Sequence, residues 1–265
     1  MKTRNIDSLK SFLLLFFSFT FANSVTVAIH ELGHAILIAA CGNKVRVILH
    51  PYLSSRVLWN PTLELFGYVD AAGPLFNILI STIILAVLWK FRKPVLMPLI
   101  LMAPLSYFQE GFSSFMQIIL NQQGTDSIRM IRSGVPMVIL LVVSIALLLF
   151  GIFLFVAMFP LFNIKKEYSF GRVFSIVYGA TGLNMIIMLL FALQKGMDEI
   201  TRALILLAGM LIFSLIFTSL HKLYFSKRIV FKIRETNISN VDIYITFSIA
   251  LIAVISGIIY YHLIN

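Results

Sequence analysis

The chain has 265 residues, of which 60% are hydrophobic and only 12% charged, and its formal net charge is +10. A soluble domain of this length carries about twice that charged fraction, so the composition excludes a water-soluble fold and makes the bilayer the solvent. The basic excess does not mark a nucleic-acid binder, because the lysines and arginines cluster in short loops between apolar runs, as membrane anchors do.

The N-terminal stretch MKTRNIDSLKSFLLLFFSFTFANS imitates a signal peptide, with a basic start, an apolar run and then Ala-Asn-Ser. The apolar run resumes at once, so the stretch is read as part of an uncleaved transmembrane helix. About 20 residues cross the hydrocarbon. Seven segments are long enough: Ser11–Ala40, Ala71–Trp89, Val95–Leu120, Val135–Phe162, Val173–Leu193, Ala203–Leu223 and Val241–Ile264. The expected fold class is an all-α polytopic membrane protein of about seven transmembrane helices, with the lipid bilayer as its surroundings. With the N-terminus in the cytoplasm, 14 of the 21 lysines and arginines fall on the cytoplasmic side and 7 on the other. The positive-inside rule then predicts N-in and C-out for a multi-pass protein of the cell membrane.

The first span contains TVAIHELGHAILIAAC, residues 26–41, with His30, Glu31 and His34 inside an apolar run. Ionisable groups in hydrocarbon are costly and rarely idle. On a helix, residues four apart share a face, so His30 and His34 can converge on one ion. Imidazole nitrogens in an H-E-x-x-H pattern suit Zn2+, and Glu31 beside them suits a general base. A closed structural zinc would want four protein ligands and no base. Cys41 is the single cysteine; it excludes an intramolecular disulfide and reads as a small interfacial residue.

The loop after this span, GNKVRVILHPYLSSRVLWNPTLELFGYVDA, has the look of a small β-hairpin or sheet. Val45, Val47 and Leu49 alternate with Lys44, Arg46 and Ile48, the period of a strand. LELFGYVD, residues 63–70, is the second strand candidate, and NPT, residues 60–62, is the turn signal between them. The edge of such a sheet needs a partner.

A catalytic zinc needs a third protein ligand. The acids on the same side of the membrane are Glu64, Asp70, Glu110 and Asp126. Glu64 and Asp70 fall in the sheet loop, where a solvated carboxylate is the default. Glu110 lies in the third span, where Ser106, Gln109, Glu110, Ser113 and Gln117 share a helical face. That stripe could line a water path or join helices. Asp126 follows the third span in NQQGTDSIRMIRSGVP, at the start of a short helical pattern, where an N-cap is its plain structural role. The residues by themselves leave Asp126 and Glu110 both open as third ligand.

With these residues in hand, the chain resembles the site-2 protease family of intramembrane zinc metalloproteases. HELGH at 30–34 is one motif of that family. AAGPLFN at 71–77 is similar to the A-G-P-x-x-N that opens its next span, with Gly73, Pro74 and Asn77 in the matching places. Counted along the helices, Asn77 and His34 each lie six residues from the same side, about 9 Å at 1.5 Å per residue. A third family motif, N-P-x-x-x-L-D-G-G-R, is matched only by Asp126 and Arg129 of GTDSIRMI. The upstream N-P, the preceding Leu and the Gly-Gly are missing. The resemblance covers about residues 25–132. It implies a metal site of His30, His34 and Asp126, with Glu110 the alternative, and Glu31 as the catalytic base. It also implies substrate contacts at Asn77, Gly73 and Pro74, and a transmembrane or membrane-proximal peptide as substrate. Residues 1–134 would form the metalloprotease core, and 135–265 would add four helices of no assigned role. The rival expectation is a catalytically degenerate scaffold or a metal-dependent transporter. The intact Glu31 favours the enzyme; the imperfect Asp126 motif favours the rival.

Overall fold

The structure is a computed structural model that describes residues 2–50, 55–59, 66–193, 196–226 and 236–264. Helix α1 runs unbroken over Lys2–Ala40, 39 residues without a proline. It stops where Gly42 takes φ +80°, and the Gly42 and Asn43 amides turn back onto the Ala39 and Ile38 carbonyls at 2.9 and 3.2 Å. Glycine supplies that left-handed step without steric cost, and the turn satisfies carbonyls the helix leaves open. Strand β1 (Val45–Ile48) then pairs antiparallel with β2 (Arg56–Trp59), with Val45 opposite Trp59 and Ile48 opposite Arg56.

The hairpin expected from the sequence is present, but its second strand is not LELFGYVD. Residues 66–70 of that stretch are the first turn and more of helix α2, Phe66–Leu88. Residues 60–65, which include the NPT turn signal and Glu64, lie outside the described residues. The reason is visible in burial. Tyr68 is 74% exposed while Val69 and Asp70 are buried, a helical rather than alternating pattern that continues the apolar run after it. In β2 the apolar Leu58 faces outward, so the strand lacks the polar alternation by which it would be recognised.

The chain then enters Pro94–Leu96, a 3-10 turn, and continues through α3 (Met97–Ile100) and α4 (Met102–Ile119). A short helix α5, Asp126–Arg132, sits between two left-handed glycines, Gly124 and Gly134. Helix α6 covers Met137–Ala157 and gives way to a 3-10 turn at Phe159–Phe162. Helices α7 (Phe170–Ala192), α8 (Met197–Ser226) and α9 (Asn240–Ile264) complete the fold. Ser169 caps α7 by accepting from the Arg172 amide, a usual N-terminal device.

Among the described residues six helical stretches are long and apolar enough to cross a membrane: Ile6–Ala40, Gly67–Leu88, Pro94–Ile119, Met137–Ala157, Phe170–Ala192 and Asn240–Leu263. In α8 the apolar run is shorter, Leu206–His221. This is a multi-pass, all-helical membrane architecture with one two-stranded sheet between its first two helices.

The core gathers around the N-terminal half of α1. Leu14, Leu15 and Phe19 are buried with Phe108 of α4, Phe155 of α6 and Phe213 and Phe217 of α8. The rings meet edge to face, Phe108 on Phe213 with centroids 4.6 Å apart at 88°, the arrangement their quadrupoles favour. At the other end of α1 the sheet is tied to the last helix, where the Tyr260 hydroxyl donates to the Val47 carbonyl at 2.9 Å.

Candidate metal centre

Three atoms converge beside the C-terminal half of α1. His30 Nε2 and His34 Nε2 are 3.1 Å apart. Asp126 Oδ2, from the first residue of α5, is 3.3 Å from His30 Nε2 and 3.5 Å from His34 Nε2. Among the described residues this is the one group of three or more His, Cys, Asp or Glu side chains whose ligand atoms could share an ion.

The outward nitrogens fix the tautomers. His34 Nδ1 lies 2.6 Å from the Val69 carbonyl, which can only accept, so Nδ1 carries the hydrogen. His30 Nδ1 lies 2.9 Å from Glu110 Oε1, and that oxygen also accepts from Asn77 Nδ2 at 2.6 Å. Both Nε2 atoms therefore turn lone pairs toward each other and toward a carboxylate oxygen. Only a cation or a shared proton stabilises such a set. Three donors at zinc's ordinary 2.0–2.1 Å, spread tetrahedrally, lie about 3.3–3.4 Å from one another. The observed edges of 3.1, 3.3 and 3.5 Å bracket that value, so the residues fit a four-coordinate metal with one open position.

The backbone makes room for this. A Cβ on Gly73 would overlap the His34 imidazole, and one on Gly33 would sit 2.7 Å from the Ala72 carbonyl. Glycine at both places lets α1 and α2 touch backbone to backbone. The third donor is held by charge. Arg129 NH2 donates to Asp126 Oδ1 at 2.6 Å and lies 2.7 Å from Asp70 Oδ1, to which Arg129 Nε donates at 2.8 Å. Arg129 so occupies one oxygen of Asp126 and leaves the other for a metal. Burial would push the Asp126 carboxyl up, but the hydrogen bonds and charge of His30 and His34 outweigh it and hold the group well below the usual carboxylate range.

The residues singled out in the sequence distribute as follows. His30, His34 and Asp126 form the triad. Glu110 is not in it, because its carboxylate meets His30 on the ring edge opposite Nε2. Glu31 is half-buried, and no hydrogen bond or ion pair ties it to another described residue. Asn77 is 1% exposed and committed on both sides, to Glu110 through Nδ2 and to the Ser106 hydroxyl, which donates to its Oδ1 at 3.0 Å. Gly73 packs on His34, and Pro74 lies inside α2. The polar stripe of α4 joins helices: Gln109 Nε2 donates to Asn23 Oδ1 at 2.6 Å, and Gln117 Oε1 accepts from the Ser127 amide at 3.3 Å. Asp70 is 2% exposed rather than solvated. Its pairing with Arg129 and the Val69 carbonyl's hold on His34 are contributions that sequence reasoning missed. Both lie in the stretch read as a strand, whose helical reading would have placed Val69 and Asp70 beside the AAGPLFN segment. Compared with known proteins, the chain matches no family model, no curated protein and no solved structure.

Proposed function

We propose that the protein is an intramembrane zinc metalloendopeptidase that cuts transmembrane or membrane-proximal peptide segments. The observation that carries the reading is the convergence of His30 Nε2, His34 Nε2 and Asp126 Oδ2 within 3.5 Å, one residue from Glu31, in a helix apolar enough to span a bilayer. Two imidazoles and one carboxylate with an open fourth position are the donor set of a hydrolytic rather than a structural zinc. The likeness of HELGH and AAGPLFN to the site-2 protease motifs supports the same reading.

Zinc held by His30, His34 and Asp126 supplies Lewis acidity toward a peptide carbonyl and toward water. No hydrogen bond or ion pair among the described residues occupies the Glu31 carboxylate, so it is available to take a proton from the attacking water and to pass it to the leaving amine nitrogen. Arg129 donates to Asp126 Oδ1 and would leave Oδ2 for a metal. The Val69 carbonyl and Glu110 keep both imidazoles with Nε2 turned inward. A helical substrate hides its carbonyls, so the cut segment must be unwound before it reaches these groups. The excess of basic residues on the N-terminal side supports a cytoplasmic N-terminus and a cell-membrane location. A tag on the N-terminus that is reached only after permeabilisation supports that orientation, and one reached from outside intact cells reverses it.

The test is Glu31→Gln, which removes the base while leaving the ligands. Purified Glu31→Gln should hold as much zinc as wild type and lose cleavage of transmembrane peptides by ~10²–10⁴-fold. Comparing membrane proteomes of wild-type and Glu31→Gln cells should reveal an uncut substrate. Equal cleavage by the two proteins, or none by zinc-loaded wild type on any membrane peptide, overturns the protease in favour of a scaffold.

A further inference from the structure

The two imidazoles are anchored unequally. His34 Nδ1 donates to a neutral carbonyl, that of Val69, whereas His30 Nδ1 donates to a carboxylate, that of Glu110. Glu110 is 6% exposed, and behind it runs a closed chain of polar groups. Asn77 Nδ2 donates to Glu110 Oε1, Ser106 Oγ donates to Asn77 Oδ1, and Ser106 and Ser81 share a hydrogen bond at 2.8 Å. Asn77, Ser106 and Ser81 are each at most 1% exposed. Three helices, α1, α2 and α4, thus meet in one line of hydrogen bonds that ends on a metal-facing ring.

Joining helices does not require a charge. A serine or a glutamine at position 110 would do it at less cost in this setting. Among the described residues no lysine or arginine pairs with Glu110, and its one ionic contact is His30. A buried carboxylate without a cation is expensive. A dication on the far nitrogen of the same ring removes that cost, because the ring conducts the interaction between its two edges. Carboxylates on the outer nitrogen of a metal-bound histidine fix its tautomer and raise its basicity.

We infer that Glu110 is a positioning residue for the metal centre. It holds the His30 ring with Nε2 inward and strengthens the metal bond at that nitrogen, and Asn77 aims it. The inference rests on the metal-centre reading above, yet it concerns binding alone, so it does not need the protease reading to hold.

The experiment measures zinc affinity of detergent-solubilised full-length protein by competition with a chromophoric chelator. The cobalt(II) absorption spectrum and the thermal midpoint of the metal-free protein accompany it. Glu110→Gln should weaken zinc binding about 10–100-fold. The cobalt spectrum should keep its four-coordinate intensity, and the metal-free protein should be no less stable than wild type, since a buried charge is gone. Glu110→Asp, whose shorter side chain withdraws the carboxylate from Nδ1, should also weaken binding, and it serves if the Gln variant misfolds. Unchanged affinity in both variants overturns the inference and leaves Glu110 as interhelical glue. Complete loss of zinc with a changed cobalt coordination number also overturns it, making Glu110 a ligand. A wild type that binds neither metal overturns this inference and the metal centre together.

Discussion

The two halves of α1 are packed by different chemistry. Toward the N-terminus, Leu14, Leu15 and Phe19 meet Phe108, Phe155 and Phe217 with no polar partner among them. Toward the C-terminus, the helix is held by His30 on Glu110, His34 on the Val69 carbonyl, and both on Asp126. In lipid there is no water to drive helices together, so the aromatic half gains its stability from close contact of large rings. The polar half gains little net stability from its buried charges, because their desolvation offsets their attraction. What it gains is a unique register: each imidazole has its own acceptor at Nδ1 and shares Asp126 at Nε2, and a slip of one residue would leave several ionisable groups unpaired. The same helix therefore separates a region packed by apolar rings from a region that gathers the candidate metal ligands.

That separation can be broken or sharpened by mutation, most severely at the triad. His34→Ala removes one of three donors, so zinc should fall from about one per chain to none, with a smaller loss of stability in the metal-free protein than at a core phenylalanine. Metal analysis of the purified variant decides; retained zinc in His30→Ala/His34→Ala would move the site elsewhere. Phe217→Ala should do the opposite. Opening a cavity among Phe108, Phe155 and Phe213 should cost about 3 kcal/mol of stability, with zinc affinity of the folded fraction unchanged. A drop in affinity without a drop in stability would show that the two regions are coupled.

Arg129→Met probes the polar half more gently. It frees Asp126 Oδ1 and strands Asp70, and it should weaken zinc binding about tenfold, a loss of ~1.4 kcal/mol. Equal chelator competition by variant and wild type would show that α5 is positioned without the arginine. The smallest effect is expected at the sheet. Tyr260→Phe deletes one hydrogen bond to Val47 and should cost about 1 kcal/mol. Faster amide exchange over residues 45–48 with unaltered zinc content is the signature, and a change in metal binding would tie the hairpin to the site.

How far the sequence discloses this centre depends on the range of each contact. His30, Glu31 and His34 are legible because helical periodicity alone sets their faces, and six of the seven expected spans follow from apolar length, the run in α8 being shorter. The third donor is a long-range matter. Asp126 and Glu110 both fall toward the same side of the membrane in the sequence reading, and nothing in residue spacing says that α4 presents Glu110 to the outer edge of the His30 ring while α5 brings Asp126 to the inner one. The Val69 carbonyl is a backbone group and leaves no mark in a sequence. The misplaced strand has the same origin: Leu58 faces out and Val69 faces in because of what packs against them, and four-residue strands are too short for their own pattern to overrule that.

The length of α1 has a consequence for where water meets the site. Its 39 residues rise about 58 Å, nearly twice the ~30 Å of hydrocarbon. Lys10, whose ammonium donates to the Ile238 carbonyl at 3.1 Å, is the last charged residue before the uninterrupted apolar run and marks one boundary. About 20 residues carry a helix to the opposite boundary, which from Lys10 arrives at His30. The same stride backward along α2 from Lys90 arrives at Asp70. Two antiparallel helices, measured from independent basic anchors, thus reach the far headgroup level at a candidate ligand, His30, and at Asp70, which pairs with Arg129. By that measure the candidate centre falls near the headgroup level rather than in mid-bilayer, shallower than the ~9 Å counted from the ends of the spans, and the last turns of α1 extend beyond the hydrocarbon. The proposed hydrolysis would there draw water from the interface, without a channel through the bundle, and the bonds within its reach would be those where a substrate's own helix leaves the membrane.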